Sequence, residues 1–264
     1  MDNKISDNWD LAGFSMKSRL IVGTARFPSI QTMLDSLEES ATEMVTVALR
    51  RVSTSKEENN LYNIFQRKGY RILPNTAGCF TVRDAILTAE LARESLGTSL
   101  IKLEVIADEN TLFPDGENLL IAAKELVKKG FSVLPYTNDD PVLSLKLEDV
   151  GCVAVMPLGA PIGSGLGIRN PHNIEIIRSR VNVPVIIDAG LGTASDAAFA
   201  LELGCDAVLL NSAISRAQDP VKMSSAMKHA VIAGRNAFLA GRIPKKFYAD
   251  PSSSFEGRID SKSK

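Results

Sequence analysis

The chain has 264 residues, a hydrophobic fraction of 45%, and 30 basic against 31 acidic residues, which leaves a net charge of -1. This balance, with no blocks of like charge, argues against a nucleic-acid binder or a membrane-surface binder, because both need a concentrated positive field. The N-terminus has no apolar signal segment, and no run reaches the roughly 18 apolar residues that a membrane span requires. We therefore expect a cytoplasmic protein, or one of the plastid stroma if an organelle encodes it.

Eight short apolar segments recur along the chain with turn residues at their ends, and each is predicted to be a strand. They span residues 20–24, 44–49, 72–75, 100–106, 133–136, 152–156, 185–188 and 207–211. Helical patterns separate them, and Asn170-Pro171 and Asp219-Pro220 place a capping residue before a proline at the first helical position. The polar ends, about residues 1–17 and 250–264, are expected to be loose.

Strands that alternate with helices in this way require parallel pairing with helical crossovers. A doubly wound open sheet is one alternative, but it needs a phosphate-binding glycine fingerprint after its first strand. The stretch Gly23-Thr24-Ala25-Arg26 does not supply that fingerprint. We therefore predict an α/β fold of the (β/α)8 barrel type, a single domain over residues 1–264 with its core at about 18–244.

The cysteines and histidines show no pattern of a metal site. Cys79, Cys152 and Cys205 are far apart and form no C-x-x-C pair, so neither a disulfide framework nor a structural zinc site is expected. His172 falls at a helix start and His229 within a helix, and we interpret both as surface or packing residues.

The fourth predicted strand, residues 100–106, carries charge on one of its two faces. Alternation along a strand puts Lys102 and Glu104 on one face and three apolar residues on the other. Helices cover the apolar face of a barrel strand, so both charged side chains would point into the lumen. Burying an unpaired ion is costly, so the two residues either form a structural ion pair or carry out chemistry. The remaining alternative is that residues 100–106 form an edge strand whose polar face is exposed to solvent.

A lysine in a mostly apolar lumen is suited to attack a carbonyl and form an imine, since burial lowers its pKa and supplies the neutral amine. An ionised Glu104 would oppose that change in the pKa of Lys102, so either burial dominates or Glu104 is engaged elsewhere. Glu104 and Asp188, which ends the seventh predicted strand, are the natural carriers of the protons that imine chemistry must move.

Small residues follow the last three predicted strands, at residues 157–167, 188–192 and 211–213. In (β/α)8 enzymes the loops after the seventh and eighth strands commonly hold a phosphate on backbone N–H groups. A glycine in any one loop can also serve only a tight turn, and this reading is weaker for two loops at these positions. The sequence therefore predicts a phosphorylated substrate.

These motifs, in this order, resemble bacterial and plastid-type thiazole synthase, which builds the thiazole ring of thiamine. The resemblance covers about residues 18–244 and rests on residues 18–24, 73–78, 101–106, 133–140, 156–167, 184–192 and 209–213. It implies that Lys102 forms an imine with the ketone of 1-deoxy-D-xylulose 5-phosphate, with Glu104 and Asp188 as acid and base. The positions that match the family's sugar-phosphate site are Gly163, Ala189, Gly190, Asn211 and Ser212.

The resemblance also implies partners. Sulfur would arrive as a thiocarboxylate at the C-terminus of a small ubiquitin-like carrier protein, and nitrogen as dehydroglycine from a separate enzyme. No metal or organic cofactor is expected, because the imine forms on Lys102 itself, and the family is usually a homotetramer. The first loop departs from the family at Ala25, Arg26 and Phe27, where many relatives have glycine and Lys-Tyr, and this difference bears on carrier docking.

Two other functions fit the same residues. A lysine-imine aldolase acting on a sugar phosphate would share Lys102 and the phosphate loops but would need no protein sulfur donor. A non-catalytic barrel that binds a phosphorylated ligand would hold Lys102 and Glu104 as a buried ion pair. Dependence on a thiocarboxylated carrier separates the aldolase from thiazole synthase, and the absence of carbonyl chemistry would identify the binding barrel.

Overall fold

The structure, a computed structural model, describes residues 7–48 and 61–253. The strands in these residues are β1 Trp9–Leu11, β2 Phe14–Met16, β3 Leu20–Gly23, β4 Met44–Ala48, β5 Arg71–Asn75, β6 Leu100–Leu103, β7 Ser132–Thr137, β8 Met156–Pro157, β9 Ile186–Asp188 and β10 Ala207–Leu210. The helices are α1 Ile30–Ser40, α2 Leu61–Arg67, α3 Val82–Leu96, α4 Gly116–Lys128, α5 Pro141–Asp149, α6 Pro171–Arg180, α7 Ala194–Glu202, α8 Ser212–Ser215 and α9 Pro220–Ala240.

The eight strands β3 to β10 form one parallel sheet in the order β8-β7-β6-β5-β4-β3-β10-β9. Its two ends meet at a parallel bridge between Val155 and Val185, where the Val155 N–H donates to the carbonyl oxygen of Pro184 at 3.0 Å. This bridge closes the sheet, and the predicted (β/α)8 barrel is confirmed. None of the helices in the described ranges is both long and apolar enough to cross a membrane.

Two apolar layers hold the barrel together. Outward-facing side chains of the fourth barrel strand and its extension, Ile101, Leu103 and Val105, pack in the largest buried cluster together with residues of the surrounding helices. A second cluster, which includes Ile21 and Leu134, fills the amino end of the lumen. The predicted alternation along residues 100–106 is therefore confirmed, and it is the reason that Lys102 and Glu104 face inward.

Helix starts follow the capping chemistry of the sequence. The Asp219 carboxylate accepts a hydrogen bond from the Lys222 N–H at 2.9 Å, ahead of α9. The side chain of Thr193 and that of Asp196 form a reciprocal capping box at the start of α7. Such bonds satisfy the free N–H groups of a first helical turn. They therefore fix the residues at which α7 and α9 begin.

Two predicted strands differ from the structure. The fourth ends as a strand at Leu103, because its ladder to β7 ends at the Leu103–Pro135 pair and its ladder to β5 holds only the Asn75–Lys102 pair. The sixth lies at Met156–Pro157 rather than at 152–156, because the Cys152 N–H still bonds back to helix α5. Of the predicted second strand, 44–49, residue 49 lies outside the described residues.

The amino-terminal segment is more ordered than its polar composition predicts. Strands β1 and β2 form an antiparallel hairpin in which Trp9 pairs with Met16. Trp9, Leu11 and Met16 are buried in the cluster at the amino end of the lumen, and the Trp9 indole donates to the Ser18 carbonyl at 3.0 Å. The expectation of a loose segment is therefore wrong for residues 9–16, which close this end of the barrel.

Trp9→Ala is expected to lower the free energy of unfolding by about 3–5 kcal/mol, because it removes a large buried side chain beneath the lumen. Urea unfolding followed by circular dichroism measures the change. Ser15→Ala, on the exposed side of the same hairpin, is the matched control and should change the free energy by less than about 0.5 kcal/mol. Equal losses in the two variants would contradict a closing role for the hairpin.

Candidate active site

A cavity of about 820 Å³ opens at the carboxyl ends of the barrel strands. Loops after β3, β5, β8, β9 and β10 contribute to its wall. The residues predicted for the site all line it: Lys102, Glu104, Gly163, Asp188, Ala189, Gly190, Asn211 and Ser212. The barrel thus brings together residues that are far apart in the chain, at the end where enzymes of this fold hold their active sites.

A buried lysine lies between two carboxylates in this cavity. The Lys102 Nζ is 2.5 Å from Asp188 Oδ2 and 3.3 Å from Glu104 Oε1. These three side chains are buried, and only 4–7% of each is exposed. The same Nζ lies 5.7 Å from the centre of the Tyr136 ring, so an aromatic face borders the ammonium on another side. The Lys102 ammonium is therefore paired with two buried carboxylates at once, those of Glu104 and Asp188.

The two carboxylates set the charge of this lysine. Burial is the largest effect on the pKa of Lys102 and lowers it, but the charges of Asp188 and Glu104 together outweigh burial and raise the pKa. The expectation that burial dominates, or that Glu104 is engaged elsewhere, is therefore wrong. In the free protein Lys102 is an ammonium, and it must lose a proton before it can act as a nucleophile.

Asp188 is placed to receive that proton. Burial raises the pKa of Asp188 to about 6, Lys102 opposes the rise, and Glu104 adds to it. A carboxylate with a pKa this close to neutrality can both accept and return a proton at working pH. The site therefore contains an adjacent donor and acceptor, with the proton path given by the short Lys102–Asp188 contact.

One wall of the cavity is mainly backbone. Gly163, Ala189 and Gly190 all have positive φ, at 74°, 73° and 81°. A Cβ on Gly190 would lie 2.3 Å from the backbone nitrogen of Ala160, so only glycine allows the loops after β8 and β9 to pack this closely. A Cβ on Gly163 would face Ser212 Oγ at 3.8 Å. Such a wall lets an anion approach N–H groups and a hydroxyl closely.

Asn211 has a supporting position in the same wall. With its amide oriented to match its neighbours, Nδ2 donates to the Ala25 carbonyl at 2.9 Å and to the Gly23 carbonyl at 3.1 Å. A Cβ on Gly23 would lie only 2.6 Å from the Asn211 Cβ, so the close approach requires glycine there. Asn211 therefore anchors the loop between β3 and α1, and Ser212 is the better placed of the two to contact a ligand.

The cavity also contains cations that the sequence reasoning did not select. Arg26 and Arg216 line it, and Arg26 has a left-handed backbone with φ of 65°. Arg216 directly follows α8, which begins where the eighth barrel strand ends. Both follow barrel strands, β3 for Arg26 and β10 for Arg216, and this position was a usable signal in the sequence. Both can contribute positive charge toward a phosphorylated substrate.

The described residues contain no group of three or more His, Cys, Asp or Glu side chains that could hold a metal ion. The cysteines Cys79, Cys152 and Cys205 are all buried. Burial raises the pKa of Cys152 to about 12, so its thiol stays protonated, as expected of a packing residue. His172 and His229 are exposed outside the cavity lining.

Fold and cavity together define a class of protein: a (β/α)8 barrel with a lysine–carboxylate centre and a backbone anion wall at the catalytic end. The family model described as "Thiazole biosynthesis protein ThiG" matches residues 10–254. The chain therefore belongs to the ThiG family of thiazole biosynthesis proteins. It is an enzyme, a thiazole synthase of thiamine biosynthesis, and the resemblance found in the sequence is confirmed.

Individual relatives agree with this family. The thiazole synthase of Geobacter sulfurreducens is 58% identical over 255 residues, which covers 96% of this chain and 98% of the relative. That of Geotalea uraniireducens is 57% identical over 256 residues, covering 97% and 98%. Among solved structures, the Amycolatopsis orientalis BexX/CysO complex contains a chain with a TM-score of 0.80 and 29% identity, covering 90% of this chain and 97% of that one. The activity of this family is thiazole synthesis, and not either of the two alternatives considered from the sequence, which were aldolase activity and non-catalytic ligand binding.

Proposed function

We propose that the thiazole phosphate is built on Lys102 from 1-deoxy-D-xylulose 5-phosphate, dehydroglycine and the sulfur of a thiocarboxylated carrier protein. The observation that carries this proposal is the buried Lys102 Nζ, 2.5 Å from Asp188 and 3.3 Å from Glu104 at the catalytic end of the barrel. The family activity requires a carbon skeleton to be activated for attack by sulfur and nitrogen. An imine on a lysine supplies that activation without a metal or organic cofactor.

The first step is imine formation. The Lys102 ammonium transfers a proton to Asp188, and the neutral amine attacks the substrate ketone to give a carbinolamine. Protonated Asp188 then returns its proton to the carbinolamine hydroxyl, which leaves as water while the C=N bond forms. The balance is one ketone and one ammonium in, one protonated imine and one water out, with the Asp188 carboxylate regenerated.

The second step moves the carbonyl along the sugar. Glu104 removes a proton from the carbon next to the imine, and the resulting enamine tautomerises to a ketone at the neighbouring position. The carrier's thiocarboxylate sulfur adds at this new carbonyl carbon, the acyl group passes from sulfur to the former carbonyl oxygen, and the carrier leaves with an ordinary carboxylate while the sulfur stays on the carbon. Water leaves from the sugar, the sulfur bonds to the imine carbon of dehydroglycine, and the dehydroglycine nitrogen takes the place of the Lys102 nitrogen, which leaves as the amine. Glu104, 3.3 Å from Nζ, lies close enough to serve carbons bonded to that nitrogen.

The substrate phosphate would bind at the backbone wall formed by Gly163, Ala189 and Gly190, close to Ser212 Oγ. Arg216 also lines the cavity and adds positive charge to it. The lysine and its carboxylates come from β6, its continuation and β9, and the phosphate wall directly follows Asp188, so the bound phosphate would adjoin the reacting groups. Asn211 supports the site by fixing the neighbouring loop.

A protein sulfur donor fits the cavity mouth. The rim carries Phe80 and Ile162, with 40% and 37% of their surfaces exposed, which offers apolar contacts to a second protein. The related Amycolatopsis orientalis chain was solved as a BexX/CysO complex, which supports a protein partner for this family. A homotetrameric state, a separate dehydroglycine-forming enzyme and a cytoplasmic location complete the proposal.

Reconstitution with omissions tests the proposal. Thiazole phosphate is expected only when the sugar phosphate, dehydroglycine and thiocarboxylated carrier are all present. The matched control is the same carrier with an ordinary C-terminal carboxylate, which should give no product. Equal product formation with this control carrier would refute the sulfur route, and carbon–carbon cleavage of the sugar phosphate in its place would favour aldolase chemistry.

Gly163→Ala is expected to raise the KM for the sugar phosphate about 10-fold, because the added methyl group projects toward Ser212 where the phosphate would lie. Initial rates at varied sugar phosphate measure this. Gly13→Ala is the control, since Gly13 has a similar φ of 82° but nothing within 4 Å of the added Cβ. If both variants keep the parent KM, the phosphate does not bind at this wall.

A further inference from the structure

Lys102 lies on β6 and Glu104 directly after it, and the sheet supports this segment less on its β5 side than on its β7 side, where residues 100–103 pair with residues 132–135. Only Asn75 and Lys102 are in register between β5 and β6, and β6 ends at Leu103. Glu104 therefore follows the last strand residue, yet its side chain is buried beside Lys102. Something other than the strand ladder must fix its main chain.

Thr76 provides that support. Its side-chain hydroxyl donates to the Glu104 carbonyl at 2.7 Å and accepts from the Glu104 N–H at 2.7 Å. Its own N–H donates to the Lys102 carbonyl at 3.1 Å. Thr76 has no exposed surface and is absent from the cavity lining, although Asn75 and Ala77 on either side line it. One buried residue thus holds the backbone of both Lys102 and Glu104 without meeting substrate.

We propose that Thr76 is a positioning residue that aims the Glu104 carboxylate at the Lys102 Nζ and the carbons attached to it. The two hydroxyl bonds fix both polar groups of the Glu104 main chain, and with them the direction in which the side chain leaves the backbone. Removing the hydroxyl leaves these groups without that partner, so the carboxylate loses its fixed distance to the reacting atoms. The inference rests on the proposed acid/base role of Glu104.

Thr76→Val is the direct test, because it keeps the shape and removes the hydroxyl. We expect kcat for thiazole formation to fall about 30-fold or more, as displacements near 1 Å do, with the KM for sugar phosphate within about 3-fold of the parent. Thr76→Ser keeps both hydrogen bonds and should restore kcat to within about 3-fold. A purely structural role would not separate kcat from KM in this way.

Thr42→Val is a matched control at the opposite end of the barrel. The Thr42 hydroxyl is also buried and bridges backbone groups, with the Leu20 carbonyl at 2.7 Å and the Met44 carbonyl at 2.8 Å. This variant should lose stability comparably but keep the parent kcat. If Thr76→Val does not fold, Thr76→Ala against Thr42→Ala carries the same comparison.

A double-mutant cycle with Glu104→Gln shows whether Thr76 acts through Glu104. The double variant Thr76→Val with Glu104→Gln should be no slower than Glu104→Gln alone. An additional full loss in the double variant, or a parent-like kcat for Thr76→Val beside a slow Glu104→Gln, would overturn the inference. A parent-like kcat for Glu104→Gln would instead refute the proposed role of Glu104, and the Thr76 assignment with it.

Discussion

Lys102→Ala is expected to abolish thiazole formation, with kcat lowered by about 10⁴-fold or more, because the variant has no amine to carry the imine. Lys102 is the one lysine among the described residues that line the cavity, so no neighbour there can replace it. Steady-state formation of thiazole phosphate measures the loss. Lys128→Ala removes an exposed lysine on α4 and should leave kcat unchanged. Comparable residual activity in Lys102→Ala and the parent would remove the imine from the mechanism.

The same substitution has a second consequence, for stability. Without Lys102, Glu104 and Asp188 become unpaired buried carboxylates, and the free energy of unfolding should fall by about 3–5 kcal/mol near pH 8. The loss should shrink toward pH 5, because the pKa of Asp188 rises further once the ammonium is gone and the group becomes neutral. Urea unfolding at both pH values measures this, with Lys102→Met as a volume-matched comparison. A loss that does not depend on pH would show that cavity formation, not charge, is responsible.

Asp188→Asn is expected to lower kcat by about 10²–10⁴-fold and to remove an acidic limb from the pH profile. In the parent, Asp188 is ionised above its pKa of about 6 and can accept the Lys102 proton, whereas below that pH it is protonated and cannot. The parent kcat/KM should therefore fall as the pH drops below about 6. Profiles of kcat/KM between about pH 5 and pH 8 measure the limb.

The substrate phosphate also titrates near pH 6, so the variant decides which group causes the limb. If Asp188→Asn retains the limb unchanged, the substrate rather than Asp188 is responsible, and the proton-transfer role is contradicted. Asp139→Asn provides the control, since Asp139 lies in the loop after β7 but outside the cavity lining. It should keep both the parent kcat and the parent profile.

The fold and the identity of the charged centre could be predicted because the signals are local. Alternation along 100–106 is a property of consecutive residues, and it placed Lys102 and Glu104 in the lumen before any neighbour was known. Enzymes of this fold hold their active sites at the carboxyl ends of the barrel strands, and this regularity added Asp188 and the small-residue loops to the predicted site. The structure brings all of these into one cavity.

Other features depend on contacts that no local pattern encodes. The charge of Lys102 depends on the distance to Asp188 on another strand, so reasoning from burial and Glu104 without that distance gave the wrong direction for the pKa of Lys102. The Thr76 hydroxyl bonds to the Glu104 main chain beyond the single β5–β6 ladder pair, and no sequence pattern marks that contact. The hairpin at residues 9–16 was missed because three buried apolar side chains are spread through a polar segment.

Intact-protein mass after incubation with 1-deoxy-D-xylulose 5-phosphate and borohydride tests the central claim most directly. Borohydride reduces an imine to a stable amine, so the parent should gain the mass of the reduced sugar-phosphate adduct while Lys102→Ala gains none. Peptide mapping should then place the adduct on Lys102. An unmodified parent, despite measurable binding of the sugar phosphate, would contradict the imine mechanism, and an equal adduct on both proteins would contradict the role of Lys102.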